Sequence, residues 1–370
     1  MEKHRFSVTY SIDAKDETEA RHKAFDICVE QTVEFPYELI TDGFIREEVV
    51  GRLETFSGGE NRYYAEISYH DNTAGKEFTQ FLNVLFGNTS IKPGIRIEKI
   101  RLSHHLLLHF KGPRFGVQGI RKITGVYHRP LICSAIKPMG QTPKELAELA
   151  YKFTLGCVDI VKDDHGLSDQ PFAPFKQRVK RVSSAIALAR KKSGSKTIYA
   201  PNVTADTTDE VLSRALYARN AGAGALLISG SLTGLGTVRA LSRDKRIKLP
   251  VLFHPAFMGS FTSTPHSGIS HYALYGQIVR MAGADITIFP NFGGRFSFSE
   301  YDCRMIAQGC RDHMGDIAPI MPGPGGGMSL ETVGQMKEFY GNDAVFLIGG
   351  GLFKSGDVEE SCRVFKEKIK

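Results

Sequence analysis

The chain lacks the marks of several protein classes. It has no apolar run of the roughly 18 residues a membrane span needs. Its first residues, MEKHRFSVTYSID, contain no apolar signal-peptide core, so a cytoplasmic protein is expected. The six cysteines (Cys28, Cys133, Cys157, Cys303, Cys310 and Cys362) form no CxxC pair. That argues against a zinc site or a disulfide frame and for reduced thiols. There is no low-complexity segment, and no repeat beyond the βα unit described below. The formal charge of +7 has no basic tract behind it. Lysines and arginines alternate with acids, so solvated helix faces account for most of the charge and nucleic acid is not an expected partner.

What is present is a rhythm. From about residue 126, short apolar runs alternate with polar or glycine-rich turns and helix-period segments. The runs are 131–137, 157–164, 197–203, 225–231, 249–255, 284–290, 317–323 and 343–351. Helices are expected after them, as at 142–153 and 329–339. Near-continuous apolar strands belong to a parallel sheet covered on both faces. Eight evenly spaced units make a closed (β/α)8 TIM barrel over 126–370 the leading architecture, with a doubly wound open sheet as the runner-up. Residues 1–125 read differently. A strand at 5–13, a helix at 17–32, paired strands at 47–56 and 62–70, a helix at 75–85 and a further strand or two at 95–110 give a βαββαβ order. That order suggests a ferredoxin-like α+β domain. His104, His105 and His109 fall in its strand region and are read as structural or surface residues. Residues 111–129 read as a linker.

A barrel carries its active site at the C-terminal ends of its strands. Those ends hold Lys137, then Lys162-Asp163-Asp164-His165, Asn202, Ser229, His254 and Asn291. Strand alternation places Lys162 and Asp164 on one side and turns Asp163 away to brace a neighbour. Gly293-Gly294-Arg295 follows strand six, and glycine clusters at 325–327 and 349–351 follow strands seven and eight. Exposed backbone N–H groups in such clusters can cradle a phosphate; the alternative is that they only make tight turns.

These residues together resemble the ribulose-bisphosphate carboxylase large-subunit family. Ser134-Ala135-Ile136-Lys137-Pro138 resembles its strand-one lysine motif, and Val158 to Asp164 its strand-two metal motif. His254-Pro255-Ala256, Gly268-Ile269-Ser270-His271 and Ala282-Gly283-Ala284-Asp285 resemble its strand-five to strand-six region. Phe86-Gly87-Asn88 and Glu30-Gln31-Thr32 resemble first-domain segments that reach the site. The resemblance implies Mg2+ held by a carbamylated Lys162, by Asp164 and by the next residue, a homodimer with the site at the subunit interface, and substrate contacts from His271 and Asn202. It also exposes departures. His165 stands where the family has glutamate, which weakens the case for Mg2+ and for the carbamate. Met139 replaces a second lysine and Pro255 an arginine that holds one phosphate. Gly325 replaces a serine, and Arg295 occupies the loop that normally carries a lysine.

The pattern resembles that of the RuBisCO-like, form IV members. It implies enolisation or isomerisation of a phosphorylated keto-sugar, foremost a 5-methylthioribulose 1-phosphate isomerase of methionine salvage, and not CO2 fixation. A 2,3-diketo-5-methylthiopentyl-1-phosphate enolase, a sugar-acid phosphate decarboxylase and a non-catalytic phosphate-binding regulator are the alternatives. The implied roles are proton transfer by Lys137, catalytic support from Lys162, His254, Asn88 and Glu30, and phosphate binding by Gly326, Gly327, Gly349, Gly350 and Arg295.

Overall fold

The computed structural model describes residues 4–353 and 356–370. Its first half is built on strands β1 (Arg5–Asp13), β2 (Arg52–Gly59), β3 (Arg62–His70) and β4 (Ile95–Arg101), paired antiparallel in the order β4-β1-β3-β2. Tyr63, Ala65, Ile67 and Tyr69 alternate inward along β3, as a sheet with one covered face requires. Two longer helices accompany the sheet, Glu17–Glu30 and Phe78–Phe86. The first starts where Asp16 accepts the Glu19 N–H.

Two expectations fail here for identifiable reasons. The segment 95–110 gives one strand, then the helix His104–His109, because the Ser103 hydroxyl caps the Leu106 N–H and ends the extended run. The three histidines therefore sit on that helix and not on a strand. Residues 47–49 lie in a π-helical turn, Ile45–Val49, so β2 starts only at Arg52.

The second half holds strands β5 (Leu131–Ile136), β6 (Ile160–Asp163), β7 (Ile198–Ala200), β8 (Leu226–Ile228) and β9 (Val251–Phe253). After the short β10 (Gly268–Ile269) come β11 (Ile286–Pro290), β12 (Met321–Gly325) and β13 (Val345–Leu347). Setting β10 aside, the other eight pair in parallel in the order β7-β6-β5-β13-β12-β11-β9-β8. The bridge Asn202↔Leu227 joins the two ends, so the barrel is closed and the open sheet is excluded. β10 instead pairs parallel with β4, lending a strand from the barrel half to the first sheet. The seventh barrel strand begins at Met321, later than expected, with Ile317 and Ile320 buried in its approach.

The stretch expected as a linker contains the helix Gly116–Thr124. Val117 and Ile120 pack against Leu131, Ile160, Leu227, Leu252, Ile286 and Val345, so the helix plugs the N-terminal end of the barrel. Asp285 fastens it: Oδ1 accepts the N–H groups of Phe115 and Gly116, each at 2.8 Å, and Oδ2 accepts that of Val251. Gly116 has φ +57, and a Cβ there would stand 2.8 Å from the Pro319 carbonyl oxygen. Among the described residues, no helix is long and apolar enough to cross a membrane.

Candidate active site

Strand alternation assigns the side chains after β6. Lys162, 3% exposed, faces the barrel mouth and donates to the Asp163 carbonyl at 3.1 Å. Asp163 points outward into a buried cluster, where it accepts from Arg178 Nε (3.1 Å), the Tyr199 hydroxyl (2.6 Å) and the Asn202 N–H (2.9 Å). It is a brace, as expected. Asp164 returns to the mouth beside His165, whose Nδ1 lies 3.6 Å from its Oδ1.

The C-terminal ends of the strands enclose a cavity of about 990 Å³. Lys137, Lys162, Asp164, His165, His254 and the glycines of both clusters line it. His165, after β6, and His254, after β9, stack face to face, centroids 4.3 Å apart and planes 8° apart. Burial pushes the Lys162 ammonium below the ordinary lysine range; Lys137 adds to the shift and Asp164 opposes it. Burial alone would raise the Asp164 carboxyl, but His165 and Lys162 outweigh it and hold that group well below the carboxylate range. His254 is pushed down to about 2, first by burial, then by the charges of Lys162 and His165. Its Nδ1 accepts the Ala256 N–H at 3.2 Å. The neutral ring therefore carries its proton on Nε2, the nitrogen left to act as a donor.

The glycine clusters line the cavity with backbone and almost no side chain. Gly326 (φ +88) and Gly327 (φ +69) take left-handed conformations. The loop after β11 leans on them: a Cβ on Gly327 would lie 3.1 Å from the Cα and N of Gly294. A Cβ on Gly349 would lie 3.1 Å from Lys137 Nζ, so the lysine ends against the second cluster. Arg295 also lines the cavity; it is exposed, with its guanidinium over the Phe296 ring.

Four expected residues are placed elsewhere. Asn202 does not line the cavity. Its amide donates to the His165 and Leu167 carbonyls and its oxygen accepts from Thr204, so it holds the loop that carries His165. His271 is buried behind the wall, 3.0 Å from Asp302 Oδ1 and packed on Tyr275 and Phe298. Glu30 and Asn88 hydrogen-bond to each other at 3.0 Å on the first domain, with Lys92 Nζ 3.6 Å from Glu30, and neither lines this chain's own cavity. The sequence reading in turn missed an aromatic wall: Phe257, Tyr275, Phe296 and Phe298. Its only signal is the recurrence of phenylalanine in two loops that glycine content marks as turns.

The family model for the ribulose bisphosphate carboxylase large chain, catalytic domain, matches residues 116–295. The chain is 36% identical to the 5-methylthioribulose-1-phosphate isomerase of Rhodospirillum rubrum, over 95% of this chain and 92% of that one. It is 33% identical to the 2,3-diketo-5-methylthiopentyl-1-phosphate enolase of Bacillus pumilus, over 81% and 74%. The crystal structure of the RuBisCO-like protein from Rhodopseudomonas palustris superposes with a TM-score of 0.89, at 37% identity, covering 99% of this chain and 97% of that one.

Proposed function

The chain belongs to the ribulose bisphosphate carboxylase large-chain family, among its RuBisCO-like proteins, and on that premise we propose that it moves protons on a phosphorylated keto-sugar and does not fix CO2. The favoured activity is that of a 5-methylthioribulose 1-phosphate isomerase. The observation that carries this reading is the end of Lys137 against Gly349, which puts an amine beside the glycine cradle. A phosphate held by the backbone N–H groups of Gly326, Gly327, Gly349 and Gly350, with Arg295 at the rim, presents the adjoining carbons to Lys137. Lys137 is the group that removes a proton from a carbon next to the carbonyl and returns it to a neighbouring carbon. His254 Nε2–H donates to the oxygen on which negative charge develops, and its depressed basicity keeps it a neutral donor throughout.

Among the described residues, no three His, Cys, Asp or Glu side chains converge to hold a metal. Asp164 and His165 would supply two donors, and the third in the set the family resemblance implies is Lys162. Its buried, less basic amine suits reaction with CO2 to a carbamate, whose oxygen would join them around Mg2+. Such an ion supplies Lewis-acid polarisation of the substrate oxygens. His165, an imidazole in place of the family's glutamate, would hold that ion less strongly.

Glu30 and Asn88 fit a homodimer in which each subunit's first domain completes the other's site: paired and polar, they have no partner in this chain's own mouth. The six free cysteines support a reducing, cytoplasmic setting. The enolase reading draws on the Bacillus pumilus relative. Product analysis by NMR separates an isomerised sugar phosphate from an enol.

Incubation in D2O tests the proposal. Wild type incorporates deuterium into 5-methylthioribulose 1-phosphate, and Lys137→Ala loses about 10³-fold of that rate with its fold intact. Absence of exchange into any methylthiopentulose phosphate by wild type rejects the reading.

A further inference from the structure

The cavity has two unlike halves. Charges and the glycine cradle occupy the side of β5, β6, β12 and β13. After β9 and β11, the side that adjoins β12, the lining includes Pro255, Ala256, Phe257, Gly259, Phe296 and Phe298, backed by Tyr275. Among the described residues that line the cavity, Arg295 is the one charged side chain on that side, and it lies in the loop that leans on the cradle. Tyr275 and Phe298 meet edge to face at 5.8 Å, and the buried His271 ring packs on both from behind. This wall is therefore fixed.

Phe257 is held out from it. It is 71% exposed, and its backbone is left-handed at φ +70, a conformation unfavourable for a bulky residue. A glycine or asparagine would make the same turn with less strain and without an exposed ring. Phe296, 53% exposed, stands in the loop after β11 and lines the same cavity. Strain and exposed aromatic surface at one rim of a cavity imply an apolar contact made when the cavity fills.

We propose that Phe257, with Phe296 and the Tyr275–Phe298 wall, forms a specificity subsite for a short, uncharged, apolar end group on the substrate, a thioether. The phosphate at the cradle and the end group at the aromatic rim span the two halves of the mouth. A thioether sulfur packs well at ring edges, and among the described residues a second phosphate finds no cation at this rim beyond Arg295. The assignment rests on the keto-sugar phosphate reading but does not depend on which proton transfer follows.

The test compares 5-methylthioribulose 1-phosphate with ribulose 1-phosphate, in which a hydroxyl replaces the thioether. Solvent exchange gives kcat/KM, and thermal shift gives affinity for wild type, Phe257→Ala, Phe257→Leu and Phe296→Ala. Wild type should favour the methylthio sugar by about tenfold or more. Phe257→Ala should cut that ratio at least fivefold, mainly through KM, and Phe257→Leu should restore most of it. Phe296→Ala, in an exposed loop, gives a second reading if Phe257→Ala folds poorly. Exchange with an unchanged ratio in both alanine variants overturns the subsite and leaves the proposed function standing. A methylthio preference in binding without exchange does the reverse. Loss of dimerisation by Phe257→Ala with the ratio intact also overturns it, by making the ring an interface contact.

Discussion

The two ends of the barrel use their polar residues in opposite ways. At the N-terminal end, buried charges are spent on one another and on backbone. Arg129 makes two hydrogen bonds to Asp159, at 2.7 and 2.8 Å, and Asp159 also accepts the Ile132 N–H. Arg121 pairs with Asp343 and donates to the carbonyls of Val126 and Arg129. Asp285 accepts three backbone N–H groups. At the C-terminal end, Lys137, Lys162, Asp164 and His254 face a cavity, and burial pushes Lys162 and His254 out of their ordinary ranges. Polar groups satisfied within the protein hold it together; polar groups aimed at a cavity await a ligand. The same barrel strands carry both sets, which separates stability from chemistry along one axis.

Substitution at the closed end breaks this comparison if the two roles mix. Asp285→Ala leaves three N–H donors without an acceptor, two of them on the chain leading into the plug helix. It should destabilise the protein by about 3–5 kcal/mol, read as a lower urea midpoint, because each buried donor left unsatisfied costs about 1–3 kcal/mol. The kcat and KM of the folded fraction should not move. A loss of turnover without a loss of stability would erase the distinction. Gly327→Ala is the converse at the open end. With φ +69 and a Cβ 3.1 Å from Gly294, alanine must push the cradle away from the loop after β11. A tenfold rise in KM for a phosphorylated substrate is expected, about 1.4 kcal/mol, with the unfolding midpoint close to that of wild type.

The same contrast explains how far the sequence could be read. The eight barrel strands are legible because each is buried on both faces and so appears as a continuous apolar run. The plug helix is not, because its buried side includes Gly116, Arg121 and Thr124, polar or small residues that look like linker. Their burial depends on partners far along the chain, Pro319 and Asp343 among them. At the mouth, position at a strand end was enough to bring Lys137, Lys162, Asp164, His165, His254 and the glycines to one cavity. It could not tell that Asn202 turns back to hold the loop of His165, since strand periodicity fixes a side and not a hydrogen-bond partner. The aromatic wall stayed hidden for a related reason: Phe257 owes its place to a backbone angle that no residue pattern announces.

His271 is the residue on which the comparison is sharpest, because the sequence places it among substrate contacts and the structure places it behind the wall. Burial lowers its pKa from the ordinary 6.5, against the opposing pull of Asp302 and with Arg96 adding to the shift. A histidine in the unfolded chain therefore takes up its proton at a higher pH than folded His271 does. Below about pH 6.5 the unfolded state binds more protons, so this residue's contribution to stability is present near neutrality and declines as the pH falls. The loss grows steadily as the pH falls from 7 toward 5. His271→Asn removes the titrating ring, so its stability should fall less steeply between pH 7 and pH 5 than that of wild type, measured by urea unfolding at each pH. Its KM should change less than twofold. A severalfold rise in KM with the pH slope of wild type would return His271 to the mouth and move the boundary between scaffold and site inward.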